Sequence, residues 1–191
     1  MGMSGSFFAV RKDLCTDWPE EYPGDIFASF NAVRAGKRGI FDHKLKSYYS
    51  SVCSPKQQYW RRVRTTTGGI IAVSKNLDLL NPIRYGFFSL QLFFHKVLRW
   101  LLPFVITVIF GANIVLSKNS VFYALSLAIQ LSFCSMGLYS LFRSDVENIS
   151  LQRKILYWIL DCVAVTHAWL YFLRGDKFII WNPTKRNLVN K

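Results

Sequence analysis

Acidic residues are scarce: 11 Asp and Glu stand against 24 Lys and Arg in 191 residues, a formal net charge of +13. Such an excess of one sign suits nucleic acid, but 51% of the chain is apolar, too much for a disordered basic tail. Between Tyr85 and Leu173 charges are few. Of the 24 basic residues, 14 lie in residues 1–96 beside 7 acidic ones, and most of the others fall in short segments between or after apolar runs. That distribution fits the cytoplasmic face of a membrane, so lipid is the expected partner and nucleic acid is not. Cysteine is sparse as well. Cys15, Cys53, Cys134 and Cys162 are far apart, the last two inside apolar runs, which gives neither a metal spacing nor a disulfide framework and leaves unpaired thiols. The opening residues MGMSGSFFAVRKD lack a long apolar stretch with a cleavage site, so no secretory signal is read there. Gly2 meets only part of a myristoylation pattern.

What is present in quantity is long apolar runs. Residues 97–116 carry one charge near their start, Arg99, and residues 121–142 carry none. A helix of about 20 residues, rising about 1.5 Å each, crosses a hydrocarbon core of roughly 30 Å. The SKNS between these runs suits a tight hairpin. A third run, 155–173, holds Asp161 and His167, a costlier insertion by a few kcal/mol, yet its surroundings are apolar and aromatic. Three transmembrane helices are therefore expected. Residues 85–96, YGFFSLQLFFHK, are too short to span and read as an interfacial amphipathic helix continuing into the first span through His95, Lys96, Arg99 and Trp100. Residues 174–191 form a basic tail.

With residues 1–96 in the cytoplasm, the loop 143–154 falls inside, as the positive-inside rule expects, and a multi-pass protein of the inner or plasma membrane results. Three spans place the basic tail outside, against that rule. A third helix that is tilted or re-entrant would keep the tail inside. Three spans are favoured, because earlier segments weigh more than a C-terminal tail.

Residues 1–84 have the mixed charge and turn signals of water-exposed protein. Ile26, Phe27, Phe30 and Val33 give one apolar helix face, with Asp25 as expected N-cap and Gly36 as stop. Arg38–Asp42 suggest a short strand. Ser54 and Pro55 open a second helix, and Thr65-Thr66-Thr67-Gly68-Gly69 are expected to blur its far end. Two helices and a strand are thin for a free-standing domain, and this part reads as the end of something larger.

Two features could carry chemistry. Asp25, at a helix start, is a carboxylate held ionised by unpaired N–H groups, able to act as a base or simply to cap the helix. Arg61 and Arg64, three apart, share a helix face while Arg62 points elsewhere; two guanidiniums can hold a diphosphate or rest on anionic lipid. Asp161 and His167 are about 120° apart around their helix and do not make a pair. Asp161 reads equally as lining a glycan path or as bonded to a neighbour such as Gln130 or Ser132. His43 and His95 have no metal-binding company.

The order of these features resembles the C-terminal part of processive family 2 glycosyltransferases, the group of cellulose, hyaluronan and poly-N-acetylglucosamine synthases. Gly24-Asp25 stands at the family's E-D or D-D, and Arg61-Arg62-Val63-Arg64-Thr65 at its Q-x-x-R-W. Gly5-Ser6-Phe7-Phe8-Ala9-Val10-Arg11-Lys12 is similar to the acceptor-side G-x-x-x-A-x-R-R stretch. His95 to Pro103 and Trp181 to Arg186 match as well, so the resemblance covers nearly the whole chain.

The resemblance implies an α-helical membrane bundle preceded by the C-terminal fragment of an α/β GT-A type domain over residues 1–84. It implies Asp25 as general base, Arg61 and Arg64 at the nucleotide diphosphate, and Ser6, Arg11, Thr65 and Trp60 on the acceptor side, for a nucleotide-sugar donor and a growing glycan or lipid-linked acceptor. Gly24 replaces an acidic neighbour, Arg61 a Gln, and Thr65 the Trp on which a sugar would stack; Trp60 reads either as a substitute platform or as packing. The family's metal-holding D-x-D does not occur in this sequence. A divalent cation, Mg or Mn, is thus expected in an upstream half, with no cofactor in this chain. The chain reads as a truncated or split half that does not catalyse alone, or as a non-catalytic subunit docking a separately encoded catalytic half.

Overall fold

The computed structural model describes residues 7–16, 19–20, 23–40, 42, 44, 46, 55–142, 151–176 and 178. Among them the regular structure is helical throughout: α1 Gly24–Arg34, α2 Pro55–Ser74, α3 Pro82–Tyr85, α4 Phe87–Leu92, α5 Leu98–Leu116, α6 Val121–Phe142 and α7 Leu151–Arg174, with short 3-10 turns at Lys12–Leu14 and Leu77–Leu80 and a π turn at Phe93–Val97. No strand occurs among the described residues, and the expected α/β layer is not seen. Arg38–Ile40, where a short strand is expected, are irregular.

The chain divides into two compact units. The first comprises residues 1–100 with 167–191, and the second residues 101–166.

In the first unit, α1 forms as its apolar spacing dictates, but its cap differs from expectation. Pro23, with φ −59° and ψ 134°, occupies the N-cap, and Asp25 lies in the first turn. Proline's fixed φ and missing N–H suit it to the edge of a helix, and the carboxylate still faces the positive end of the dipole. At the other end Gly36 adopts φ 66°, Lys37 N–H bonds Ala32 C=O at 2.7 Å and Gly36 N–H bonds Val33 C=O at 3.0 Å. That pair of bonds is the Schellman closure, which needs a left-handed residue at this position. Phe27, Ala28, Ser29, Phe30 and Ala32 are buried, so small residues as well as the two phenylalanines seat the helix.

α2 begins at Pro55, as expected; Ser54 lies outside the described residues. Its end does not blur. The helix runs through Thr65–Gly69 to Ser74 because the weak helix formers are buried and tied in. Thr67 Oγ1 donates to Val63 C=O at 2.9 Å and lies 3.4 Å from Ala168 C=O. A Cβ on Gly69 would come 2.7 Å from Trp100 Cζ2, so the indole packs where only glycine leaves room. Tertiary packing here outweighs a propensity penalty of about 1 kcal/mol per glycine.

Beyond α2, Asp78 joins α1 to the following turns. Arg34 Nη2 and Nε bond its two carboxylate oxygens at 2.7 and 3.3 Å, and the Tyr85 hydroxyl donates to Oδ2 at 3.1 Å. Asn81 caps α3 by accepting from Ile83 N–H at 2.9 Å. Buried Ser89 holds α4 to the preceding turn, its hydroxyl 2.7 Å from Leu79 C=O and 2.9 Å from Asn81 C=O.

The segment 85–96, expected to continue into the first span, does so from Phe87 onward. From Phe87 to Leu116 the chain is one helical rod of 30 residues, interrupted only by the π turn. This rod, Val121–Tyr139 and Lys154–Arg174 are each long and apolar enough to cross a membrane.

The second unit is held by a few contacts. Buried Asn113 donates from Nδ2 to Ser126 Oγ at 3.0 Å and to Gln130 Oε1 at 3.1 Å, joining α5 to α6. Gly137 lets Ile159 of α7 approach closely, and Phe133 meets Trp158 edge-on at 5.3 Å. Most other large apolar side chains of α6 are exposed, as on a lipid-facing helix.

Candidate functional site

α1 and the rod that starts at Phe87 enclose a cleft of about 280 Å³ within the first unit. Asp25 and Ser29 contribute from α1, and Gln91, His95, Lys96 and Arg99 from the rod. Phe30, Phe88 and Trp100 supply much of its apolar wall. The rod residues recur at spacings of three and four, which keeps them on one helical face. Asp25 is the acidic group whose charge acts on the Lys96 ammonium; Arg99 and Arg62 are the basic ones. The Ser29 hydroxyl is occupied, donating to the Asp25 backbone carbonyl at 2.8 Å.

The other expected site residues stand elsewhere. Neither Arg61 nor Arg64 lines the cleft, although both are partly buried on α2. Burial, then the neighbouring charge of Arg61, holds the Arg64 guanidinium below its usual value, though an arginine remains charged. Thr65 is exposed and turns its hydroxyl back to the Arg61 and Arg62 carbonyls at 2.9 and 3.2 Å. Arg11 is exposed and 3.5 Å from Asp13. Ser6 lies outside the described residues.

Trp60, 42% exposed, belongs to an aromatic cluster around His167. The His167 ring lies 5.5 Å from Trp60 and 4.9 Å from Tyr171, and its Nδ1 is 2.9 Å from the Tyr59 hydroxyl. Burial, with the nearby Tyr171, pushes the Tyr59 hydroxyl up, so the phenol keeps its proton and can donate. His167 is thus engaged from α2. Gln130 receives its bond from Asn113, and Ser132 donates to Ala128 C=O at 2.8 Å.

Sequence reasoning placed Lys96 and Arg99 as anchors at the membrane surface and missed them as cleft residues. The signal was available. Phe88, Gln91, Leu92, His95, Lys96 and Arg99 repeat at helical spacing, which puts the cations on the same face as apolar residues that need covering. No protein-family model, curated protein or solved structure matches this chain.

Proposed function

We propose that this chain is the acceptor-side, membrane-embedded part of an inverting glycosyltransferase of the family 2 type, with residues 1–96 on the cytoplasmic side of an inner or plasma membrane. The observation that carries the reading is the position of Asp25: a carboxylate in the first turn of a helix, in the wall of a cleft, opposite a rod long enough to enter the bilayer. There the carboxylate takes the proton of an acceptor hydroxyl as that oxygen attacks the anomeric carbon. The new C–O bond forms on one face while the bond to the nucleoside diphosphate breaks on the other, which inverts the centre. Arg64, with Arg61, bears the negative charge that collects on the leaving diphosphate. Trp60 offers its exposed face to the acceptor. The donor nucleotide and its Mg or Mn are assigned to a donor-binding upstream half, the sequence here having no D-x-D.

Transfer from radiolabelled nucleotide sugars, measured in native membranes containing the full chain, tests this. Asp25→Asn is expected to lower transfer by about 100-fold or more without changing the amount of chain in the membrane. Arg64→Ala is expected to weaken nucleoside diphosphate binding as well as rate. Full turnover by Asp25→Asn removes the carboxylate from the mechanism.

One observation favours a second reading, a non-catalytic membrane subunit that docks a separate catalytic half through residues 1–84: Arg61 and Arg64 do not share the Asp25 cleft. On that reading a catalytic polypeptide co-purifies with the tagged chain, and its activity survives both substitutions.

A further inference from the structure

The cleft beside Asp25 has two kinds of wall. Lys96 and Arg99, one helical turn apart, give it two cations against the single carboxylate of Asp25, and Phe88, Leu92 and Trp100 give it an apolar surface running alongside them. Both cations belong to the rod Phe87–Leu116, just before its long apolar stretch. On the outside of the same rod Phe87 and Phe94 are 71% and 57% exposed, large aromatic side chains of the kind that settle at the headgroup level of a bilayer. Cations at such a depth ordinarily snorkel outward to the membrane surface. Here Lys96 is half-buried in the cleft, and Arg99, though exposed, lines the same cleft. The π turn Phe93–Val97, which adds a residue to one turn, falls where His95 and Lys96 both line the cleft.

We propose that this cleft binds the phosphate of an anionic phospholipid, the phosphate on Lys96 and Arg99 and the first part of the acyl chain against Phe88 and Trp100. A phosphate monoester or diester accepts charge-assisted hydrogen bonds from ammonium and guanidinium groups, and basic pockets at this depth hold lipid headgroups. The apolar wall favours a tailed molecule over a free anion, because a soluble phosphate leaves that wall in water. The proposal is independent of the transferase reading and makes no use of Asp25 as a base.

The full chain, purified in a neutral detergent, is titrated with phosphatidic acid and with phosphatidylcholine, and retained lipid is read by native mass spectrometry. Wild-type protein is expected to retain phosphatidic acid in preference to phosphatidylcholine. The double substitution Lys96→Gln with Arg99→Gln is expected to weaken that retention by about tenfold or more, whereas Lys37→Gln with Lys118→Gln, at exposed lysines elsewhere, leaves it unchanged. Helicity by circular dichroism checks each fold, and Lys96→Arg, which keeps the charge, retains the lipid even if the double variant fails to fold. Equal retention by the double variant overturns the proposal. So does an equal loss in the control pair, which would mean diffuse surface charge. Displacement by inorganic phosphate at the concentration of the lipid would assign the site to a free anion and overturn the lipid assignment.

Discussion

Trp100 ties three helices of the first unit together. Its ring covers Gly69 of α2, and its backbone carbonyl accepts from Trp169 Nε1 of α7 at 3.0 Å. Because the indole is buried, it has little room to yield to a new side chain. Gly69→Leu is therefore expected to destabilise the fold by about 1–3 kcal/mol, seen as a lowered Tm in detergent, with Gly69→Ala costing less. Asp78 acts through charge. Its hydrogen bond from Arg34, aided by Tyr85, holds the carboxyl below its ordinary value of 3.8. A depressed carboxylate contributes stability that is present above the unfolded value and lost as pH falls through the folded one. Both partners are more than a third exposed, so solvent screening keeps the effect within about 1 kcal/mol. The difference in Tm between wild type and Asp78→Asn is expected at neutral pH and should vanish in acid below the folded value; a difference that persists there would show that the carboxylate acts by shape alone.

Among the elements, α2 departs furthest from its sequence. Three threonines and two glycines in a row signal a fraying end, yet the helix continues to Ser74 because Thr66, Thr67, Gly68 and Gly69 are all buried. Amide hydrogen exchange is expected to show residues 66–70 as strongly protected as residues 59–63; fast exchange at the glycines would contradict the packing. The apolar runs are the legible part. Their length and lack of charge located all three candidate spans, since a hydrophobic rod carries its signature in composition alone. Gly36 and Pro55 were legible for a similar reason, as each has a backbone geometry of its own. The cap of α1 was not, because Pro23 and Asp25 both suit a helix start and only the dihedral angles choose between them. At the candidate site Asp25 stood out as a lone carboxylate at a helix start. That Lys96 lines the same cleft, while Arg61 and Arg64 do not, depends on how α1 and the rod meet, a relation between distant segments that local pattern does not carry.

For the whole molecule, sidedness is the measurable property. If residues 1–96 are cytoplasmic, the α5–α6 hairpin emerges on the far side, and its exposed Lys118 is the place to look. In a chain with its four native cysteines replaced, Lys118→Cys is expected to react with a membrane-impermeant thiol reagent in intact cells. A cysteine at position 190, outside the described residues, is expected to react likewise if the third helix crosses; labelling only after permeabilisation would place the tail inside and make that helix re-entrant.

The first unit is discontinuous in sequence, its earlier part being met by His167, Ala168 and Trp169 of α7. Tyr59, Thr67 and Trp100 must therefore wait for partners made only after residues 101–166 have left the ribosome. At roughly 5–20 residues per second that interval lasts several seconds. During it the backbone carbonyl of Trp100 and the Tyr59 and Thr67 hydroxyls of α2 lack their final partners, so the last helix to be synthesised acts as the latch on the first part of the chain. Stalling translation before His167 should leave a nascent chain whose amino-terminal third is open to protease, and releasing the stall should close it.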